Sequence, residues 1–228
     1  MKIGAITIGQ SPRVDVTADI KDIFGNDVEI LEAGALDGLS CEEIEKFAPE
    51  DGDYVLVSRL KDGSFVTFAE RFILPRLQEA IDKMEDAGCR FIMFFCTGNF
   101  PDTLASKKIP LIYPCTILER IVPLMTKQSQ IICVTPSELQ LAQSEEKWKN
   151  HVSRVTSVAA NPYDSWEQLE KTAERVKDME GDLIVLDCIG YSQKMKDMFT
   201  EKTGKMVILP RTLLARVCSE ATDVKGGQ

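Results

Sequence analysis

Two cysteines close apolar runs: Cys96 in "FIMFFCTGNF" (91–100) and Cys188 in "LIVLDCIGYS" (183–192), each followed two residues later by a glycine. In open parallel sheets the carboxyl ends of the strands form the ligand crevice, so a thiol there, ahead of small turn-forming residues, is placed for chemistry. A free thiol ionises near pH ~8.5, and a helix N-terminus or a nearby cation brings the thiolate within reach of neutral pH. Two such groups have an obvious joint use. Inverting a carbon beside a carboxylate needs a base on one face and an acid on the other, and two thiols can exchange those roles. Asp187, directly before Cys188, either relays a proton or, by strand alternation, faces the other way.

Further strand ends supply candidate binding groups. In the loop "GQSPR" after the first strand, Gly9, Ser11 and Arg13 form an anion pocket with the guanidinium fork of Arg13, or Pro12 marks only a turn and a helix start with Arg13 solvated. Ser58 and Arg59 follow "DYVLV" at an equivalent position, with the same access to a ligand. Thr135, after "QIICV", is the second-half counterpart of Thr7 or Gly9, and its hydroxyl binds substrate or caps the following helix. The other cysteines, Cys41, Cys89, Cys115, Cys133 and Cys218, lie in apolar or helical segments and read as space-filling thiols.

The elements that must position these groups follow from the apolar pattern. Short continuous runs ("KIGAITI", "DVEILEA", "DYVLVSRL", "FIMFFC", "PLIYP", "QIICVTP", "VSRVTSV", "DLIVLDC", "KMVILP") alternate with amphipathic stretches, the signature of parallel sheets covered on both faces by helices. One helix is expected from Phe68 to Ala87, stopped by Gly88, with Pro75 either kinking it or marking a new start. A second is expected from Ser165, an N-cap with Gln168 three residues on, to Met179, before Gly181.

The halves resemble one another beyond the cysteines. "PLIYPCTILER" (110–120) aligns with "MVILPRTLLAR" (206–216), pairing Pro114 with Pro210, Thr116 with Thr212, Leu118 with Leu214 and Arg120 with Arg216. With order and spacing both kept, duplication is the expected origin, and its product is an α/β protein of two pseudo-symmetric lobes facing one another. The expected lobes are 1–115 and 116–211, with the final helix from Thr212 returning to the first lobe. Residues 222–228 read as a frayed tail.

Composition narrows the partners. A formal net charge of −9 without a Lys/Arg run argues against nucleic acid. The N-terminal apolar run is too short for a leader or a membrane span, which points to a cytoplasmic protein without a membrane partner. Seven cysteines, an odd number, read as reduced thiols, and without a Cys-x-x-Cys pair or a second histidine beside His151 no metal site is expected. Neither a phosphate loop nor a dinucleotide fingerprint follows any strand, so a nucleotide-using enzyme has little support.

The strand ends "CTGNF" and "LDCIGY" resemble the two cysteine motifs of the aspartate/glutamate racemase superfamily. More closely, "IGAITIGQSPRVDV", "VSRLKDG", "YPCTILERIVP", "VTP" and "LDCIGYSQKMKDM" resemble the AroM family within it, over nearly the whole chain. The resemblance implies a cofactor-independent fold of two α/β lobes, Cys96 and Cys188 as the acid/base pair, and Thr97, Gly98, Asn99, Ile189 and Gly190 around the substrate carboxylate. The chain departs from the usual racemase pattern in having Thr97-Gly98 rather than Asn-Thr after the first cysteine. It also has Gly190-Tyr191 where a histidine often follows the second.

The function expected is that of a racemase or isomerase acting on a small carboxylic or amino acid by two-thiol proton transfer in an inter-lobe cleft. The alternatives are a metabolite-binding or regulatory protein that kept the crevice, and a cysteine-dependent decarboxylase or cis-trans isomerase. A carboxylate-bearing metabolite is the expected partner, and a homodimer is left open.

Overall fold

The computed structural model describes residues 1–222. The chain divides into two compact units, Met1–Pro114 joined by the chain from Arg211, and Cys115–Pro210.

Unit 1 contains β1 (Lys2–Thr7), α1 (Val14–Phe24), β2 (Glu29–Gly34), α2 (Cys41–Glu45), β3 (Val55–Arg59), β4 (Phe65–Ala69), α3 (Leu74–Asp86), β5 (Ile92–Phe95) and β6 (Leu111–Ile112). Four of these strands form a parallel sheet in the order β2-β1-β5-β6. All four residues of β5 are buried, as the continuous apolar run requires of a strand covered on both faces. Ile6, Leu77, Ile81, Ile92 and Phe94 belong to the core of this unit.

Unit 2 repeats the plan. After α4 (Pro114–Met125) come β7 (Gln130–Thr135), α5 (Leu141–Trp148), β8 (Arg154–Ala159), α6 (Trp166–Lys177), β9 (Leu183–Leu186), α7 (Gln193–Thr203), β10 (Met206–Ile208) and α8 (Pro210–Ser219). The sheet order is β10-β9-β7-β8, all parallel. Each unit therefore places its strands as second, first, third, fourth, and each encloses its own core. The matched prolines, Pro114 and Pro210, open α4 and α8, where proline's missing N–H costs nothing.

The helix expected from Phe68 to Ala87 divides. Phe68 and Ala69 close β4, Glu70–Phe72 form a 3-10 turn, and α3 begins at Leu74 with Pro75 in its first turn, so Pro75 marks a start rather than a kink. Leu77, Ala80, Ile81 and Met84 form its buried stripe. It ends where Cys89 N–H donates to Met84 O (3.2 Å) and Gly88 N–H to Glu85 O (3.0 Å), with Gly88 at φ +75°. The second helix is α6, whose first N–H groups are met by Ser165, its hydroxyl accepting from Gln168 N–H at 3.4 Å.

"DYVLVSRL" is not a parallel strand. β3 pairs antiparallel with β4, from Val55↔Ala69 to Arg59↔Phe65, outside the four-stranded sheet. The turn between them is built by Asp62, which accepts Ser64 N–H at 2.9 Å, and by Gly63 at φ +92°. Unit 2 has no counterpart of this hairpin: the chain from β8 to β9 carries only α6.

Thr222 is buried, and its N–H donates to Ser219 O at 3.0 Å, so the frayed tail does not begin there. The rest of that expectation, 223–228, lies outside the described residues. Among the described residues no helix is long and apolar enough to cross a membrane.

Candidate active site

The two sheets can be superposed residue by residue through their hydrogen bonds. Thr7 O accepts Ala35 N–H (2.9 Å) as Thr135 O accepts Ala160 N–H (2.8 Å), so Thr135 is the equivalent of Thr7. Ile6 pairs with Phe94 and Val134 with Leu186, which makes Leu186 the equivalent of Phe94 and Cys188 the equivalent of Cys96. Both thiols are nearly buried, at 8% and 7% exposure. Each sulfur accepts an N–H two residues on, Cys96 from Gly98 at 3.4 Å and Cys188 from Gly190 at 3.3 Å. A backbone N–H aimed at sulfur stabilises negative charge there.

Both glycines are closely surrounded, Gly190 more tightly than Gly98. A Cβ on Gly98 would lie 3.2 Å from Leu56 Cδ2 and 3.4 Å from Tyr54 Cε1. One on Gly190 would lie only 2.7 Å from Tyr163 Cζ, closer than real Cβ contacts come, and 3.0 Å from Pro162 Cγ. Thr97 is buried beside Cys96 and Ile189 beside Cys188, whereas Asn99 is exposed.

Asp187 is committed to α5. Its carboxylate accepts both Lys147 Nζ contacts (2.9 and 3.0 Å), Trp148 Nε1–H (3.3 Å) and the Cys133 thiol (3.5 Å). The Lys147 and Asp187 side chains are each 5% exposed. Burial opposes the charge on Lys147, but Asp187 outweighs it and holds the ammonium above its ordinary range. Burial, reinforced by Asp187, pushes the Cys133 thiol well up and keeps it inert. Cys89, Cys115 and Cys218 are buried too, whereas Cys41, expected to fill space, is exposed at the start of α2.

The "GQSPR" loop is knitted by carboxylates. Ser11 donates to Asp37 through N–H (2.8 Å) and Oγ (2.5 Å), and Arg13 N–H donates to Glu32 Oε2 (2.6 Å). The fork of Arg13 grips Asp15 through Nε (2.9 Å) and Nη2 (2.8 Å), while its Nη1 donates to Thr7 Oγ1 (3.3 Å). Asp15 is thus the anion that Arg13 holds. Burial raises the Asp15 carboxyl, but Arg13, then Arg211 and Arg59, outweigh it and leave it below its ordinary value. Arg211, at the start of α8, donates to Asp15 O (2.6 Å) and Asp19 Oδ2 (2.9 Å). Arg13 is buried, not solvated, and α1 begins directly after it.

β3 joins the two ends of this region. Ser58 packs on Gly9, where a Cβ would lie 2.9 Å from Ser58 Cβ and 2.8 Å from Arg59 O, while Leu56 and Tyr54 pack on Gly98. Gly9, Ser58 and Arg59 are thereby brought into one region with the Cys96 turn. The Ser58 hydroxyl is buried with no hydrogen-bond partner among the described residues. Arg59 differs from Arg13 in being 36% exposed and in having its nearest carboxylate, Asp15, at 3.9 Å. In unit 2, Thr135 Oγ donates to Ser137 O at 3.2 Å, holding the loop rather than capping a helix, beside the end of β9 where Asp187 N–H donates to Val134 O.

Sequence reasoning missed Tyr54, Tyr163 and Lys147. Tyr163 follows a parallel strand, so the strand-end rule already applied to Thr135 would have found it. Tyr54 precedes its strand, and only the antiparallel hairpin puts it beside Gly98. Lys147 carries no signal in a helix rich in charge. Among the described residues, no three His, Cys, Asp or Glu side chains stand together as a metal site would need.

The fold has known relatives. Allantoin racemase from Klebsiella pneumoniae is 16% identical, with a TM-score of 0.66 over 97% of this chain and 86% of that one. Maleate isomerase Iso from Pseudomonas putida S16 is 13% identical (TM-score 0.64; 98% and 94%), and glutamate racemase from Francisella tularensis subsp. tularensis SCHU S4 is 15% identical (0.62; 96% and 80%). At such identities the likeness is one of fold, the two-lobed aspartate/glutamate racemase fold. Comparison with curated proteins finds no match. The model of the family described as AroM protein matches residues 3–222, and the chain belongs to that family.

Proposed function

We propose that this protein is a cofactor-independent isomerase of racemase type, acting on a small carboxylic or amino acid with Cys96 and Cys188 as its acid/base pair. The observation that carries the reading is the equivalence of the two thiols: the same register position in two repeated sheets, and the same glycine N–H on each sulfur. A duplicated core needs no thiol at that position in either half. A reaction that treats the two faces of one carbon alike needs it in both.

In this reading one cysteine, as thiolate, removes the proton from the carbon next to the carboxylate, and its sulfur becomes a thiol. The electron pair passes into the carboxylate as an enediolate, where N–H donors and a cation stabilise it. The second cysteine delivers its proton to the opposite face and is left as thiolate, ready for the reverse reaction. Arg59 is the cation best suited to the substrate carboxylate, since Arg13 is saturated by Asp15. The similarity in fold to racemases and an isomerase supports an enzyme of this superfamily.

The test is proton NMR in deuterated buffer with single enantiomers of allantoin, glutamate, aspartate, aromatic amino acids and small hydroxy acids, and with maleate. Cysteine-dependent loss of an α-proton signal, followed by the opposite enantiomer on chiral analysis, is the expected result. Ligand-induced stabilisation without exchange would replace the reading with a metabolite-binding protein.

A further inference from the structure

We propose that Tyr54 and Tyr163 are positioning residues for Cys96 and Cys188, each fixing the Cys-x-Gly turn that holds its thiol. The proposal rests on the reading of the two cysteines as the acid/base pair. In unit 1 two consecutive N–H groups are taken up in turn: Gly98 N–H by the Cys96 sulfur at 3.4 Å, and Asn99 N–H by the Tyr54 hydroxyl oxygen at 3.1 Å. The turn cannot open without giving up both bonds. The Tyr54 ring also lies against Gly98, where an added Cβ would meet Cε1 at 3.4 Å.

In unit 2 the phenol is pressed onto the turn itself. The Tyr163 hydroxyl is the atom nearest to the place a Gly190 Cβ would occupy, and Gly190 N–H is the donor to the Cys188 sulfur. Tyr163 is held by its own N–H, which donates to Asn161 Oδ1 at 2.9 Å, and the Tyr191 hydroxyl closes the same corner by donating to Ala160 O.

Duplication does not account for this agreement. Tyr163 lies in the short connection between β8 and α6, whereas Tyr54 arrives from beyond α2, at the head of a hairpin that unit 2 lacks. The same residue type reaches the same glycine by two unrelated routes. A tyrosine that merely filled space would be replaced as well by leucine or phenylalanine. Here the Tyr54 hydroxyl accepts the N–H of Asn99 in the turn, and the Tyr163 hydroxyl is the side-chain atom that closes the space over Gly190.

The experiment is alkylation of the full-length protein with iodoacetamide between pH 6 and 9, with Cys96 and Cys188 read separately by peptide mass spectrometry. Tyr54→Phe is expected to move the Cys96 profile to higher pH and slow its alkylation at pH 7 about threefold, the factor that loss of one neutral hydrogen bond gives. The Cys188 profile stays in place and reports an intact fold. Tyr163→Phe, which removes the hydroxyl packed over Gly190, is expected to move the Cys188 profile to higher pH and to leave that of Cys96 in place. Leu56→Ala, which removes the other side chain on Gly98, separates packing from hydroxyl contact. A Cys96 profile moved by Leu56→Ala and untouched by Tyr54→Phe would overturn the proposal, as would equal shifts at both cysteines. Alkylation needs no substrate: selective shifts without any α-proton exchange would uphold the positioning role and refute the isomerase reading. Exchange with unmoved profiles would do the opposite.

Discussion

Cys188 stands in the second sheet at the register position that Cys96 holds in the first, and both sulfurs accept an N–H from the glycine two residues on. The bond is shared, but the side chains packed on each turn make the two glycines unequal under substitution. Gly190→Ala forces its methyl group into Tyr163 and Pro162, whereas Gly98→Ala meets side chains at 3.2 Å or more that can give way. Overpacking of the first kind costs about 1–3 kcal/mol. Thermal denaturation should show a drop of several degrees for Gly190→Ala and a smaller one for Gly98→Ala.

The Lys147–Asp187 pair tests a different link, from packing to stability. Lys147→Met takes the cation from the buried Asp187 carboxylate, which keeps Trp148 and Cys133 as donors, and loss of one partner from a buried pair costs about 3–5 kcal/mol. Lys147→Met combined with Asp187→Leu should recover most of that loss in urea denaturation, because no charge is then stranded. Additive losses in the double variant would mean that the pair is not energetically coupled.

How much of this was legible in the sequence differs from element to element. The parallel strands were, because β1, β5, β7 and β9 are buried on both faces and therefore read as unbroken apolar runs. The thiols at the ends of β5 and β9 followed from that reading together with the strand-end rule. The β3–β4 hairpin did not, since "FVTFAERFILP" offers helical spacing from Phe68 onward and only pairing with Val55–Arg59 makes Phe65–Ala69 a strand. With the hairpin went Tyr54. The saturation of Arg13 was hidden for another reason: a guanidinium two residues from an aspartate looks the same in sequence whether it grips that aspartate or a ligand.

Arg13 and Arg59 should consequently part company. Arg13→Gln removes the charge-assisted pair of bonds to Asp15 and the bond to Thr7 Oγ1, and should lower stability by about 2–3 kcal/mol in chemical denaturation. Arg59→Gln, on a part-exposed side chain with weak contacts to Asp15 (3.9 Å) and Gly63 O (3.4 Å), should change stability by no more than about 0.5 kcal/mol. Its effect should appear instead as a raised KM for the carboxylate substrate. A stability loss at Arg59 equal to that at Arg13 would count against its assignment to the ligand.

Glu70 gives a pH signature. Desolvation lifts its carboxyl from 4.5 to about 7, and its Oε1 is buried with no hydrogen-bond partner among the described residues. A folded-state value above the unfolded one means that the unfolded chain gives up this proton first. Stability from this group therefore falls as pH rises from about 4.5 through about 7. Glu70→Gln should match the parent at pH 4.5 and exceed it at pH 8 by about 1 kcal/mol, a figure reduced for the half-exposed side chain. A variant whose advantage does not grow with pH would rule out this origin.

The most direct test of the account is α-proton exchange by NMR in deuterated buffer, run on the parent protein beside Cys96→Ala and Cys188→Ala with single enantiomers of small carboxylic and amino acids. The account predicts exchange of at least one substrate in the parent and no racemisation in either single variant. Each variant should keep residual exchange with only the enantiomer whose proton faces the remaining thiol. Racemisation that survives loss of either cysteine, or a parent protein that exchanges no α-proton across the panel, would contradict it.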